Sequence, residues 1–233
     1  MENWLSHIKV LDLSTGVAGS FCSKLLGQLG AEVIKVERPI IGDPSRGQAP
    51  LIDDLPDREG SAIFLYLNGG KKSITLDISR ALGKDILCEL AKDADVLVET
   101  FRPGFLESLN LGYEDLCVSN PGLINVSITD FGQTGPYADY KSNELIQFAL
   151  SGLLYATGFP EEAPVQSGGF LPQYKGGLVG AFGALAALQW RDLSGEGQQV
   201  DVSVLDVLCN FLETNLVLYS YQGIVSGRNG STL

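Results

Sequence analysis

One histidine, His7, is all the imidazole in a chain of 233 residues, and it stands at the entrance to the first apolar segment. Histidine-based acid–base catalysis and histidine metal sites therefore have almost no material to work with. No G-x-S-x-G stretch occurs, so a serine nucleophile lacks both its usual elbow and its base. The four cysteines, Cys22, Cys88, Cys117 and Cys209, are widely spaced with no C-x-x-C pair. That pattern disfavours metal and disulfide frameworks and suits buried free thiols in a reducing cytoplasm. No apolar run reaches the roughly eighteen residues of a membrane span; the longest candidate, 176–190, stops at Arg191. The opening MENWLSHIKV enters the first strand directly and carries no signal-peptide pattern, so a cytoplasmic location is expected. Positive charge is scarce as well: 16 Lys and Arg against 28 Asp and Glu leave a net −12. A field of that sign repels nucleic acid and anionic membranes.

What the chain does hold is apolar patterning, with 45% hydrophobic and 19% charged residues, enough for a real core. The stretch IKVLDLSTGVAGSFCSKLLGQLGAEVIKVER organises it: a strand over 8–13, a small-residue turn over 14–20, a helix over 21–29 and a strand over 31–36. Continuous apolar runs joined by a crossover helix predict a βαβ unit covered on both faces. Gly16 and Gly19 allow a tight turn, and free N–H groups at the helix start favour an anion. A phosphate-bearing, nucleotide-like ligand is therefore expected, with Lys35, Arg38, Arg46, Lys71 and Lys72 as basic groups for it.

Further along, the pattern predicts a loop over 39–60, short strands over 62–66 and 73–77, and a helix over 79–93 capped by Asp77. A strand over 95–99, short helices over 106–109 and 113–118, and a strand over 123–129 follow. This alternation implies an α/β fold, a parallel sheet with helices on both faces, whose ligands bind beyond the carboxyl ends of the strands. Loops 14–20, 100–104 and 130–136 are thus the expected site. From Asp130 a glycine and aromatic loop leads to a helix over 144–154, a loop over 155–169 and a helix over 176–192 whose Gly and Ala permit close approach. A strand over 198–203 and a long helix over 204–221 precede a polar end.

Glu37, about twenty residues after Gly16, stands where a dinucleotide enzyme carries its ribose-binding acid. GVAG, however, lacks the third glycine of that fingerprint. The motifs VLDLSTGVAG, GAEVIKVERP with GDPSR, LNGGKKSITLDI, ADVLVETFRPG, GLINVSITDFGQTGPYADY, SGLLYATG and GALAALQWRDLSGEGQQVDVSVLD run in order from Ile8 to about Asp206. In them the chain resembles the family III CoA-transferases (the CaiB/BaiF type), which include formyl-CoA:oxalate and carnitine CoA-transferases and α-methylacyl-CoA racemase.

The resemblance implies a Rossmann-like region over 1–135 that binds coenzyme A. Residues 136–233 are then linker loops and helices leading towards a C-terminal half that this chain does not contain. It implies acyl-CoA and a carboxylic acid as substrates, no metal, and a partner: an interlocked second copy or a complementing C-terminal half. It also implies nucleophilic catalysis by a carboxylate, through an anhydride and an enzyme thioester. Main-chain CoA contacts fall on Val17 and Ala18, the basic nucleotide contact on Arg38, the pantetheine-side loop on Thr100 and Phe101, and a phosphate-facing lysine on Lys141. Ordinary packing is the competing reading for Val17 and Phe101, and an ion pair with Glu37 or Asp43 for Arg38.

The departures are as informative. The family's nucleophilic aspartate aligns with Gln173, whose amide cannot form an anhydride. The first-turn glutamine is Val17, the strand-end asparagine is Thr100, and the proline of the AGP motif is Ser20. The racemase histidine aligns with Asn143. Glu144 is the nearest surviving carboxylate, unless it only faces the helix dipole. A CoA-transferase with an altered centre, a non-catalytic CoA-binding or scaffolding half, and a racemase-like isomerase all remain open.

Overall fold

The structure, a computed structural model, describes residues 3–53, 55 and 59–230; part of the expected 39–60 loop and the last three residues lie outside the described residues. Six strands, β1 (Lys9–Asp12), β2 (Glu32–Glu37), β3 (Lys72–Thr75), β4 (Val96–Glu99), β5 (Ile124–Thr129) and β6 (Gln199–Ser203), form one parallel sheet in the order β3-β2-β1-β4-β5-β6. That is the doubly wound order, with its switch point between β1 and β4. The helices are α1 (Ala18–Gln28), α2 (Ala62–Asn68), α3 (Ala81–Lys92), α4 (Phe105–Ser108), α5 (Tyr113–Leu116), α6 (Glu144–Leu150), α7 (Leu153–Ala156), α8 (Leu171–Ser194), α9 (Val204–Asn210) and α10 (Glu213–Gln222).

Alternate strand residues feed two cores. Val10, Val96, Val98, Val126 and Ile128 pack under α1, α8 and α9, while Leu11, Leu13, Leu97 and Val36 pack under α3, α4 and α5. The small residues of α8 let it lie directly on α1: a Cβ on Gly177 would stand 2.3 Å from the Ala18 carbonyl oxygen. One on Gly180 would stand 2.6 Å from Ile128 Cδ1. Because α8 packs here and β6 pairs with β5, the sheet runs across the expected boundary at 135 and 136.

Several expectations are corrected. Residues 62–66 form helix, not strand: Ser61 caps it by accepting from the Phe64 N–H, and Phe64 and Leu67 bury one face at a three-residue spacing. Helix α1 begins at Ala18, three residues before the expected start, with Gly16 at φ +73° making the turn before it. Helix α8 begins at Leu171, which draws Gln173 into its first turn. Asp77 does not cap α3; its carboxylate accepts from the Ser79 N–H and pairs with Arg80 instead. The expected long last helix breaks after Asn210, where α9, anchored by buried Val204 and Leu208, gives way to α10, which buries nothing. All four cysteines are free, and Cys22 alone of them is buried. No helix among the described residues is long and apolar enough to cross a membrane.

Candidate functional site

The amino end of α1 is built on buried charge. Asp12, at the end of β1, faces Lys35 on β2 in register, and Lys71 reaches in from the turn after α2. The Lys71 ammonium donates to Asp12 Oδ2, the Ser20 carbonyl, Ser23 Oγ and Asn68 Oδ1, each within 2.9 Å. The Lys35 ammonium donates to the Ser14 carbonyl and Ser20 Oγ and pairs with Asp43 at 3.0 Å. Burial alone would raise the Asp12 carboxyl, but the two ammonium groups hold it at about 2.

This network takes up part of the turn where a phosphate is expected. The Asp43 carboxylate accepts from the Gly16 N–H at 3.2 Å, so that N–H of the turn is already met by a side chain. It also leaves Lys35 and Lys71 with no reach to a ligand. Arg46 is committed too, forming a fork to Glu37 through Nε and Nη2, both at 2.8 Å. Glu37, held at about 2 against its burial chiefly by that fork, serves Arg46 rather than a ribose. Lys72 pairs with Glu32 on the surface. Arg38 is exposed and makes no ion pair among the described residues, so neither Glu37 nor Asp43 holds it.

Two cavities open at the carboxyl ends of the strands and adjoin across Thr15 and Phe101. The first, about 410 Å³, is walled by Val36, Ile41, Leu76 and Phe105, with Arg38 in its lining. The second, about 640 Å³, is lined by Thr100, Arg102, Thr129, Asp130, Lys141 and Gln173 among others. Thr100 fixes the wall between them: its Oγ1 accepts from the Thr15 N–H at 2.9 Å, joining the two loops at the switch point. Of the expected site residues, Thr100, Phe101, Lys141 and Gln173 thus meet in one cavity and Arg38 lies in its neighbour. Val17 and Ala18 are buried and line neither.

The floor of the larger cavity holds carboxyls and amides. Gln173 Nε2 donates to Asp130 Oδ1 at 3.5 Å, and Gln147 Nε2 donates to the Asp130 carbonyl at 3.2 Å. Glu144, in the first turn of α6, is pushed up to about 7 by burial and then by the Asp130 charge, with Gln173 offsetting part of the rise. Asp130 is raised by burial. Asn143 is spent as the α6 cap, accepting from the Ile146 N–H. Thr129, which lines this cavity, has a buried Oγ1 with no hydrogen-bond partner among the described residues, and so do Glu144 Oε2 and Gln147 Oε1 close to Asp130. Such atoms are rare in a folded protein. Among the described residues no group of potential metal ligands gathers.

A family model described as CoA-transferase family III matches residues 5–233. The chain belongs to CoA-transferase family III. It is 37% identical over 230 residues to a succinyl-CoA–D-citramalate CoA-transferase of Chloroflexus aurantiacus, a match covering 98% of this chain and 56% of that one. It is 36% identical over 230 residues to the alpha subunit of a succinyl-CoA–L-malate CoA-transferase of the same organism, covering 97% and 53%. The crystal structure of a CaiB/BaiF family protein from Brucella suis superposes with a TM-score of 0.92 at 35% identity, covering 97% of this chain and 60% of that one. The chain spans about half the length of the curated relatives it matches.

Two residues of this family III site escaped the sequence reading. Arg102 sits inside the singled-out FRPG loop, yet nothing in one sequence tells a lining arginine from a surface one. Asp130 opens the DFGQTGPYADY loop at the end of β5, a position where a carboxylate signals a site.

Proposed function

We propose that this chain is the CoA-binding portion of a family III CoA-transferase, moving CoA between carboxylic acids. The observation that carries the reading is the pair of adjoining cavities at the switch point. An apolar slot with an exposed Arg38, which makes no ion pair among the described residues, leads past Thr100 and Phe101 into a larger cavity holding Lys141, Arg102 and a carboxyl–amide floor. The slot suits a flat base, Arg38 and Lys141 suit phosphates, and the carboxyl floor suits acyl transfer. Val17 and Ala18 contribute through the shape of the first turn. Glu144, which holds its proton to about 7, lies behind that floor close to Asp130. The acid substrates are carboxylates; a second copy or a chain supplying the remaining length completes the site. The racemase reading loses ground because Asn143 is occupied as a helix cap.

A second reading, a CoA-binding half without turnover, draws on Gln173, an amide where the family nucleophile aligns. Titrating the protein with CoA tests both. Saturable binding weakened about tenfold to a hundredfold by Arg38→Ala is expected, the range of a lost charged hydrogen bond. Absence of binding overturns both readings, and binding without CoA exchange between acetyl-CoA and a panel of carboxylates selects the second.

A further inference from the structure

We infer that Asp130, at the carboxyl end of β5, is the nucleophile that attacks the acyl-CoA thioester, with Gln173 orienting it. The inference rests on the transferase reading above and names the group that would perform its central step.

The geometry carries it in three parts. Two carboxylates line the larger cavity, Asp130 and Asp139. Asp139 is exposed, where water solvates and blunts a carboxylate, whereas Asp130 is half-buried. Glu144, the acid behind the floor, does not line the cavity, and its Oε2 is buried without a partner among the described residues. Second, Asp130 is mechanically fixed. Its main-chain carbonyl accepts from the Leu205 N–H at 3.0 Å and from Gln147 Nε2, while its carboxylate accepts from the Gln173 amide at 3.5 Å and interacts with the Gln147 side chain. That distance is the weak end of a hydrogen bond, so the oxygen is steered without being quenched. It also puts a carboxylate oxygen beside residue 173, where an aspartate at that position would itself have reached. Third, Thr129 lines the same cavity and its buried Oγ1 has no partner among the described residues, leaving a hydroxyl for charge developing on the thioester oxygen.

The step balances without oxidant, reductant or water. An Asp130 oxygen attacks the acyl carbonyl carbon, the C–S bond breaks, and its electron pair leaves on the CoA thiolate, giving a mixed anhydride. The thiolate then attacks the Asp130 carbonyl carbon, which releases the first acid as its carboxylate and leaves an Asp130 thioester. An acceptor carboxylate attacks that thioester and the two steps run in reverse, restoring Asp130. The neighbouring Glu144 is pushed up to about 7 by burial and by the Asp130 charge, so of the two acids it holds its proton towards neutrality.

Acetyl-CoA followed by hydroxylamine traps the acylated carboxyl as a hydroxamate. Trypsin cuts after Lys141, so Asp130 and Glu144 fall in separate peptides. The expected result is a hydroxamate on Asp130 in the unmodified protein and its loss in Asp130→Asn, measured on protein that still binds CoA. The unmodified protein alone decides the matter if Asp130→Asn folds badly. A hydroxamate on Glu144 or elsewhere, or none while CoA still binds, overturns the assignment and leaves the CoA-binding reading standing. Failure of the unmodified protein to bind CoA overturns the reading and the assignment together.

Discussion

Glu99→Gln should stabilise the protein at pH 8 and change it little at pH 5. Glu99 ends β4 only 4% exposed, and its Oε2 accepts from the Phe101 N–H at 2.7 Å. Burial is the main cause that pushes its carboxyl up to about 7 from 4.5; Ser127 and the Phe101 N–H oppose the rise, while Glu107 and Asp201 add to it. Ser127 and Asp201 stand beside it in the same register row across β5 and β6. Between 4.5 and 7 the folded chain keeps a proton that the unfolded chain releases, so stability falls as pH rises through that window. At about 1.36 kcal/mol per pH unit, ionising Glu99 in place costs ~3 kcal/mol above pH 7. Glutamine keeps an oxygen for the Phe101 N–H and removes the charge. The variant should therefore gain ~2–3 kcal/mol over the parent at pH 8 and under ~1 kcal/mol at pH 5. Glu144 titrates in the same range, but it does so in both proteins and cancels in the difference. Urea unfolding followed by circular dichroism at the two pH values measures this directly. A variant no more stable than the parent at pH 8, or offset equally at both, refutes the argument that Glu99 is a charge held against its environment.

Two further changes probe the frame. Gly177→Ala places a methyl 2.3 Å from the Ala18 carbonyl oxygen, with backbone on both sides, and should cost about 1–3 kcal/mol in urea unfolding. Gly47→Ala, with nothing within 4 Å, should stay within about 0.5 kcal/mol of the parent. Asp12→Asn removes the carboxylate that balances Lys35 and Lys71 and should cost about 3–5 kcal/mol at pH 7. Because the fold depresses this carboxyl from 3.8 to about 2, its contribution is complete above 3.8 and lost as pH falls through 2. Thermal melts at pH 7 and pH 2 should therefore separate the two proteins widely at the first and only weakly at the second.

Much of the sheet was legible because its strands are apolar on both faces. VLDL, VIKV and VLVE read as central parallel strands on that ground, whereas the edge strand over 198–203 is polar at alternate positions, with Gln199 and Asp201 exposed. The segment over 62–66 misled because IFLYL is β-prone composition; the Ser61 cap and the burial of Phe64 and Leu67, both tertiary facts, decide for helix. The long helix over 204–221 misled in the opposite way. Its apolar residues are continuous, but only the first turns have α8 to pack against, and Leu216, Tyr219 and Tyr221 remain exposed. At the site, Thr100, Phe101, Lys141 and Arg38 were singled out by the family resemblance, and the structure puts them in the two adjoining cavities. Asp130 was not singled out, because its meaning comes from Gln173, 43 residues away in the chain and 3.5 Å away in space.

The buried salt network narrows what the glycine turn can offer a ligand. A glycine turn opening a crossover helix ordinarily offers its N–H groups to a phosphate. Here Asp43 takes the Gly16 N–H and is itself tied to Lys35, itself facing Asp12, which also holds Lys71. A phosphate at that N–H would have to displace Asp43 from Lys35, leaving the buried ammonium only the more distant Asp12 carboxylate at 3.6 Å. What remains open at the switch point lies to either side of Thr15 and Phe101, where the exposed cations Arg38 and Lys141 still have charge to offer. An anionic ligand drawn to a chain of net −12 must find its positive potential in exposed cations such as these. Replacing Asp43 by asparagine should consequently not create a tighter phosphate site; it should destabilise Lys35 first. Inorganic phosphate that protects the Asp43→Asn protein from urea better than it protects the parent would show the turn to be a latent anion site after all.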